Sequence, residues 1–140
     1  MIYIDTNVFI YAIEDNQKYG KACAKIIVDI ESEKIKTATS VQTLVEIINV
    51  LTYMNWELKK RKMNQLDIQR NIELVLSLPI TWFDLDFFTI KKASSYKFEI
   101  TGADFVHVAT MEVNSIKEII TADKDFDKVD IVKRIDPLAY

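Results

Sequence analysis

Short β-prone runs alternate with helical stripes along the whole sequence, and this alternation constrains the fold more than any other feature. The runs are Ile2–Ile4, Ile35–Thr39, Ile80–Phe83, Glu118–Thr121 and Ile131–Ile135. Between them, apolar residues recur at the three- and four-residue spacing of amphipathic helices. Strands that alternate with helices form a sheet covered by helices on both faces. We therefore predict a three-layer α/β/α fold with a mostly parallel sheet of four to five strands.

One interruption of this alternation predicts a helical lobe beside the sheet. Two helices follow each other between Ser40 and Ser77, the first with Ser40 as its N-cap and the second after a capping box that starts at Asn64. The 2 glycines and 2 prolines in 140 residues favour long helices with short connections, as expected for a single domain that spans residues 1–140.

Composition indicates the cellular compartment and the classes of partner that we expect for this protein. Cys23 is the only cysteine, which excludes an internal disulfide and fits a reducing compartment. A net charge of −3 does not indicate bulk affinity for nucleic acid. No apolar run approaches the roughly 18 residues of a membrane span, and the N-terminus lacks the pattern of a signal peptide. We expect a cytoplasmic protein with no membrane partner.

Four carboxylates fall where the predicted topology gathers them at one edge of the sheet. Asp5 ends the first strand, and Asp123 follows the fourth. Asp104 lies in the first turn of a helix predicted over residues 103–113, and Glu46 lies in the second turn of the helix after strand two. Ligands of open α/β sheets bind at the carboxyl ends of the strands. We therefore predict that these four side chains meet there.

Such a cluster of carboxylates calls for a cation, because like charges repel and an unpaired buried carboxylate is costly to desolvate. Mg²⁺ and Mn²⁺ prefer oxygen ligands and take one or two carboxylates directly. Each acid also has a purely structural interpretation. Asp5 can be only an N-cap, Asp104 half of a capping box with Thr101, Glu46 a polar-face residue and Asp123 a turn residue.

These acids lie in four motifs that follow one another along the chain. The motifs are Ile4-Asp5-Thr6-Asn7, Thr43-Leu44-Val45-Glu46-Ile47, Gly102-Ala103-Asp104-x-x-His107-x-Ala109 and Thr121-Ala122-Asp123-Lys124-Asp125-Phe126-Asp127. In them the sequence resembles PIN-domain nucleases, and most of all the small toxin-type (VapC-like) PIN ribonucleases of prokaryotic toxin–antitoxin pairs. Any one motif is weak, whereas the ordered set is specific and spans nearly the whole chain.

The resemblance implies a role for each matching residue. Asp5, Glu46, Asp104 and Asp123 match the catalytic, metal-binding carboxylates, and the supporting positions are Thr6, Asn7, Thr121 and the accessory acid Asp127. The family implies Mg²⁺- or Mn²⁺-dependent hydrolysis of RNA phosphodiester bonds by a metal-activated water. It also implies a homodimer and, in many members, a cognate antitoxin.

Two other functions fit parts of the pattern. An aspartyl-phosphate phosphatase or phosphoacceptor domain also places an aspartate after its first strand. The dehalogenase-like form needs Asp-x-Asp, however, and Asn7 occupies the second position here. A PIN-like module that binds RNA or protein without cleavage would keep the same acids as structural metal ligands. Trapping with beryllofluoride would favour the first alternative, and RNA binding without cleavage the second.

Three further features favour structural explanations. His107 follows Asp104 on nearly the same helix face, and we expect it to be packed and hydrogen-bonded instead of catalytic. The basic run Lys59–Lys62 is typical of a solvated helix end, with phosphate contact as the alternative. Phe87 and Phe88, which follow a predicted N-cap, are expected in the core.

Overall fold

All 140 residues are described by the computed structural model, and its centre is one parallel sheet of five strands. The strands are β1 (Ile2–Ile4), β2 (Thr37–Ser40), β3 (Ile80–Phe83), β4 (Glu118–Ile120) and β5 (Lys133–Ile135). Their order across the sheet is β3-β2-β1-β4-β5, and every neighbouring pair is parallel. The predicted fold class is confirmed.

Six helices connect and cover these strands. They are α1 (Thr6–Ile13), α2 (Gly20–Glu31), α3 (Val41–Lys60), α4 (Ile68–Leu76), α5 (Phe87–Ala93) and α6 (Gly102–Val113). Because α3 and α4 follow each other without an intervening strand, they form the predicted helical lobe. None of the six combines the length and the apolar character that a membrane crossing requires.

The core has two parts, one on each face of the sheet. Neighbouring strand residues point to opposite faces, so Ile4 joins the core formed with α1 to α4, whereas Tyr3 joins the core formed with α6. Ile120 and Ile119 divide between the two cores in the same way. This alternation explains why the three central strands β1, β2 and β4 are buried almost completely, whereas the edge strands β3 and β5 are partly exposed.

The strand order reverses between β1 and β4, and this point positions the site. The chain builds β1, β2 and β3 outward on one side and then returns to add β4 and β5 on the other. Ligands of such sheets bind in the crevice at this reversal, outside the carboxyl ends of the strands. Asp5 follows β1 and Asp123 follows β4, so both residues lie at this crevice.

Several predicted element boundaries move in the structure. Asp67, and not Asn64, caps α4: its Oδ1 accepts from the Arg70 amide at 2.9 Å. Ser40 occupies the N-cap position of α3 but makes no capping hydrogen bond. The strand predicted from Ile35 begins only at Thr37, because the Ile35 amide bonds back to the carbonyl of Asp29.

The prediction that Phe87 and Phe88 lie in the core is wrong. Their exposed fractions are 95% and 66%. Asp86 does cap α5, with Oδ1 accepting from the Thr89 amide at 2.8 Å, but only Thr89 and Ala93 of this helix are buried. A capping motif determines where a helix begins and leaves open which side faces inward.

Candidate active site

A cavity of about 390 Å³ opens at the carboxyl edge of the sheet, and all four predicted acids line it. The rest of its wall comes from Thr6, Asn7, Ile10, Tyr11, Asn49 and Val50. No lysine or arginine is among the lining residues. The structure thus brings Asp5, Glu46, Asp104 and Asp123 together in what we call the acidic cavity.

Asp5 is the most buried acid of the cavity. Only 5% of it is exposed, and it accepts hydrogen bonds from the Thr6 amide (2.7 Å), Asn7 Nδ2 (2.7 Å) and Thr121 Oγ1 (2.6 Å). Burial raises the pKa of Asp5, and nearby His107 and these donors only partly offset that rise. Asp5 also caps α1, so its structural interpretation holds together with its place in the cavity.

Asn7 and Thr121 connect the ends of the two central strands. Asn7 Nδ2 donates to Thr121 Oγ1 at 2.8 Å, and Asn7 Oδ1 accepts from the Ala122 amide at 3.2 Å. Thr121 Oγ1 in turn accepts from the Asp123 amide at 3.0 Å. These bonds hold the loop after β4 against Asp5, and the supporting role of these residues remains a prediction.

Glu46 projects from α3 and is held through both carboxylate oxygens. Oε2 accepts from Thr6 Oγ1 at 2.5 Å, and Oε1 accepts from Gln42 Nε2 at 2.5 Å and from His107 Nε2 at 3.0 Å. Burial raises the pKa of Glu46, but these hydrogen bonds outweigh burial and lower it overall. Glu46 is therefore charged at neutral pH.

His107 is fully buried behind Glu46, and both of its ring nitrogens are engaged. Nδ1 lies 2.8 Å from the Tyr3 hydroxyl, and Nε2 faces Glu46. Burial lowers the pKa of His107, but Tyr3, Glu46 and Asp5 together raise it. The expectation of a packed and hydrogen-bonded histidine agrees with this environment. One ligand atom each of Asp5, Glu46 and His107 lies within 4.8 Å of the others.

Asp104 and Asp123 lie at the rim of the cavity, outside this tight group. The Thr101 hydroxyl donates to Asp104 Oδ2 at 2.9 Å, and Asp123 Oδ1 accepts from the Asp125 amide at 2.9 Å at the start of a 3₁₀ turn. Burial, together with the charges of Asp5 and Asp123, raises the pKa of Asp104 to about 6.

Asp127, the predicted accessory acid, does not line the cavity. Its Oδ1 accepts from Arg134 Nε at 2.8 Å, and Arg134 also bonds Asp136 at 3.1 Å and the Thr121 carbonyl at 3.2 Å. Asp127 therefore has an ion-pair partner of its own. Its accessory role remains a prediction.

Sequence reasoning did not identify two residues that hold the site. Gln42 lies four residues before Glu46, the spacing of neighbours on one helix face, and this signal was available. Tyr3 gave no such signal, because its contact with His107 joins residues that are 104 positions apart.

The donor set of the cavity fits a hard divalent cation. Its ligands are carboxylate oxygens, and the nitrogens of His107 are already engaged. Oxygen-rich sites without thiolate or free imidazole suit Mg²⁺ and Mn²⁺. Burial raises the pKa of both Asp5 and Asp104, and neighbouring carboxylates add to the rise, namely Glu46 at Asp5 and the pair Asp5 and Asp123 at Asp104.

The PIN domain family model matches residues 2–132, which is nearly the whole chain. The chain belongs to the PIN domain family. No curated protein matches the sequence.

Several solved structures share the fold of this chain at low sequence identity. VapC20 of Mycobacterium tuberculosis, described as a sarcin–ricin loop cleaving toxin, matches with a TM-score of 0.71 and 15% identity over 94% of this chain and 97% of that one. VapBC2 of Rickettsia felis, bound to promoter DNA, matches with a TM-score of 0.65 and 16% identity over 96% of this chain and 98% of that one. FitAcB of Neisseria gonorrhoeae matches with a TM-score of 0.57 and 19% identity over 100% of both chains.

Proposed function

We propose that this PIN-domain chain is a toxin-type endoribonuclease that hydrolyses RNA phosphodiester bonds with the help of Mg²⁺ or Mn²⁺. The acidic cavity at the strand-order reversal carries this proposal. It gathers four carboxylates and no lysine or arginine, so a polyanion can approach only when a cation is present. Asp5, Glu46, Asp104 and Asp123 would hold that cation.

The chain's own residues would fix the orientation of the carboxylates and supply the negative charge that holds the cation. A bound divalent cation lowers the pKa of a water molecule and offsets charge on the phosphodiester. Asp5 is fixed by three donors and Glu46 by three others, so both carboxylates keep one orientation. Asp104 and Asp123 at the rim complete the negative field and are the less constrained pair.

RNA as the substrate and a toxin role are supported by the family and by the neighbours. VapC20 is described as a sarcin–ricin loop cleaving toxin, and its fold matches 94% of this chain. Since identity is only 15%, that likeness supports the class of substrate and not the particular RNA.

We also propose a cognate antitoxin, a homodimer and a cytoplasmic location. Several of the matched structures are toxin–antitoxin complexes. An apolar cavity of about 350 Å³ between α1, α2 and α4 offers a surface for such a partner. Val45 and Ile48 of α3 and Phe87 and Phe88 of α5 are further exposed apolar side chains, and they would suit contact with a second copy.

The test is cleavage of a pool of structured RNAs with Mn²⁺ by three samples: wild type, wild type with EDTA, and Asp5→Asn. We expect cleavage by wild type alone. Cleavage that persists in Asp5→Asn would contradict chemistry in the acidic cavity. RNA binding without cleavage by wild type, across many RNAs and both metals, would instead support a binding module.

A further inference from the structure

We infer that Tyr3 and His107 form a buried positioning pair that orients Glu46 for its role in the acidic cavity. The inference rests on the proposed function, because it assigns Glu46 to the cation. Tyr3 comes from β1, His107 from α6 and Glu46 from α3, so the pair connects the sheet and a helix on one face to a carboxylate on the other side.

The hydrogen-bond chemistry gives the pair a direction. A charged carboxylate can only accept, so His107 Nε2 carries the hydrogen of its 3.0 Å contact with Glu46 Oε1. His107 Nδ1 lies 2.8 Å from the Tyr3 hydroxyl, which can donate to an unprotonated Nδ1 or accept from a protonated one. In either case the contact with Tyr3 holds the ring so that Nε2 presents its hydrogen to Glu46.

Burial makes the pair rigid. Tyr3 and His107 are both fully buried, and their rings meet edge to face with centroids 5.6 Å apart. Of the other donors to Glu46, Thr6 is also buried, whereas Gln42 is partly exposed and also donates to the Ala103 carbonyl at 2.9 Å. The histidine is the only one of the three donors with no exposed surface.

A direct metal-ligand role for His107 fits the contacts less well, because a ligand needs a free nitrogen lone pair and both nitrogens are engaged. A histidine that only fills the core would also need partners for its buried nitrogens, so the Mn²⁺ affinity of Tyr3 and His107 variants distinguishes that role from positioning. Residues that hold metal ligands from behind typically change metal affinity or activity by about 10–100-fold when removed.

Tyr3→Phe tests the inference, because it removes only the hydroxyl. Tyr140→Phe is the matched control, since its hydroxyl also supports an aspartate, Asp29, at 3.0 Å but does not line the acidic cavity. We expect Tyr3→Phe to weaken Mn²⁺ binding about tenfold in calorimetry and to lower the kcat of RNA cleavage, with KM unchanged. Tyr140→Phe should match wild type in both measurements.

A second pair of variants covers the case in which Tyr3→Phe fails to fold. His107→Gln keeps an N–H donor near Glu46, whereas His107→Leu removes it, so we expect the glutamine variant to bind Mn²⁺ more tightly than the leucine variant. Pulsed electron paramagnetic resonance of the Mn²⁺-bound wild type should show no directly coordinated nitrogen.

Different failures are distinguishable. Mn²⁺ affinity that is equal in wild type, Tyr3→Phe and His107→Leu would overturn the positioning role and leave the proposed function intact. A coordinated nitrogen signal would make His107 a ligand and also overturn it. Absence of Mn²⁺ binding by wild type itself would overturn the proposed function and this inference together.

Discussion

An aspartate is buried at each of the two edges of the sheet, and the two residues differ in their charged partners and in the direction of their pKa shifts. At the carboxyl edge, Asp5 is 5% exposed, has no lysine or arginine partner, and burial raises its pKa. At the amino edge, near the end of α2, Asp29 is 7% exposed and bonds the Tyr140 hydroxyl at 3.0 Å and Lys34 Nζ at 3.3 Å.

The pKa values of the Asp5 and Asp29 carboxyls shift in opposite directions. Burial also raises the pKa of Asp29, but Tyr140 and Lys34 outweigh it and lower the value overall. Asp29 therefore has its counter-charge within the chain. Asp5 has hydrogen-bond donors and the nearby His107, but these offset burial only in part, so its pKa stays raised. A buried carboxylate whose pKa stays raised is typical of a functional site, and one with a charged partner is typical of structure.

The largest expected effect separates the two aspartates by activity. We expect Asp5→Asn to reduce RNA cleavage by more than ~100-fold, because even the outer partners of metal ligands cost about 10–100-fold. Asp29→Asn should cleave at the wild-type rate while unfolding at a lower temperature. Steady-state cleavage with Mn²⁺ checks the first expectation and thermal unfolding the second; equal activity losses in both variants would erase the contrast between the edges.

Metal should stabilise the folded protein through the carboxyl edge alone. A cation that binds only the folded state raises the free energy of unfolding by about 2.7 kcal/mol at 100 times its Kd. We expect this gain with Mn²⁺ in wild type and in Asp29→Asn, and its loss in Asp5→Asn. Urea unfolding with and without Mn²⁺ measures it, and a gain that survives in Asp5→Asn would place the cation elsewhere.

Only part of this contrast between the two edges of the sheet could be predicted from the sequence. The order of strands and helices follows from hydrophobic period, and the topology rules then bring Asp5, Glu46, Asp104 and Asp123 to one edge before any coordinates are known. Period and topology do not determine which side chains meet across the core. The contact of Tyr3 with His107 and the ion pair of Asp127 with Arg134 therefore appear only in the structure.

The prediction that Phe87 and Phe88 are buried was wrong for a different reason. Phe87 and Phe88 follow a correctly identified cap, and their large apolar side chains were assigned to the core on burial tendency alone. Their 95% and 66% exposure shows that such a tendency cannot distinguish a core from a surface available to a partner.

A smaller effect should appear in the pH dependence of the metal-free protein. The pKa of Asp104 is raised to about 6, so between roughly pH 4 and 6 the folded state binds more protons than the unfolded state. Stability from this group is therefore present at low pH and is lost as pH rises through 6. Solvent screening of this partly exposed group limits the change to ~1 kcal/mol or less.

Asp104→Asn checks this pH dependence. Urea unfolding of metal-free protein from pH 4.5 to 7 should give a flatter curve for the variant than for wild type. Saturating Mn²⁺ serves as the control, because cation binding and protonation compete at the same carboxyl and the low-pH advantage should disappear. A wild-type stability that rises through this window would contradict the assignment to Asp104.

The smallest expected effect is confined to the amino edge. Tyr140→Phe removes one donor from Asp29 and leaves Lys34 in place, so we expect Tm to fall by about 2 °C at pH 7. The pKa of Asp29 is lowered in the folded state, so its contribution is present above the unfolded pKa and is lost as pH falls through the folded value. The difference in Tm between variant and wild type should therefore shrink in acid, where Asp29 becomes protonated. Differential scanning calorimetry at pH 7 and pH 3 measures both values, and a change in Mn²⁺ affinity in this variant would mean that the two edges are coupled through the sheet.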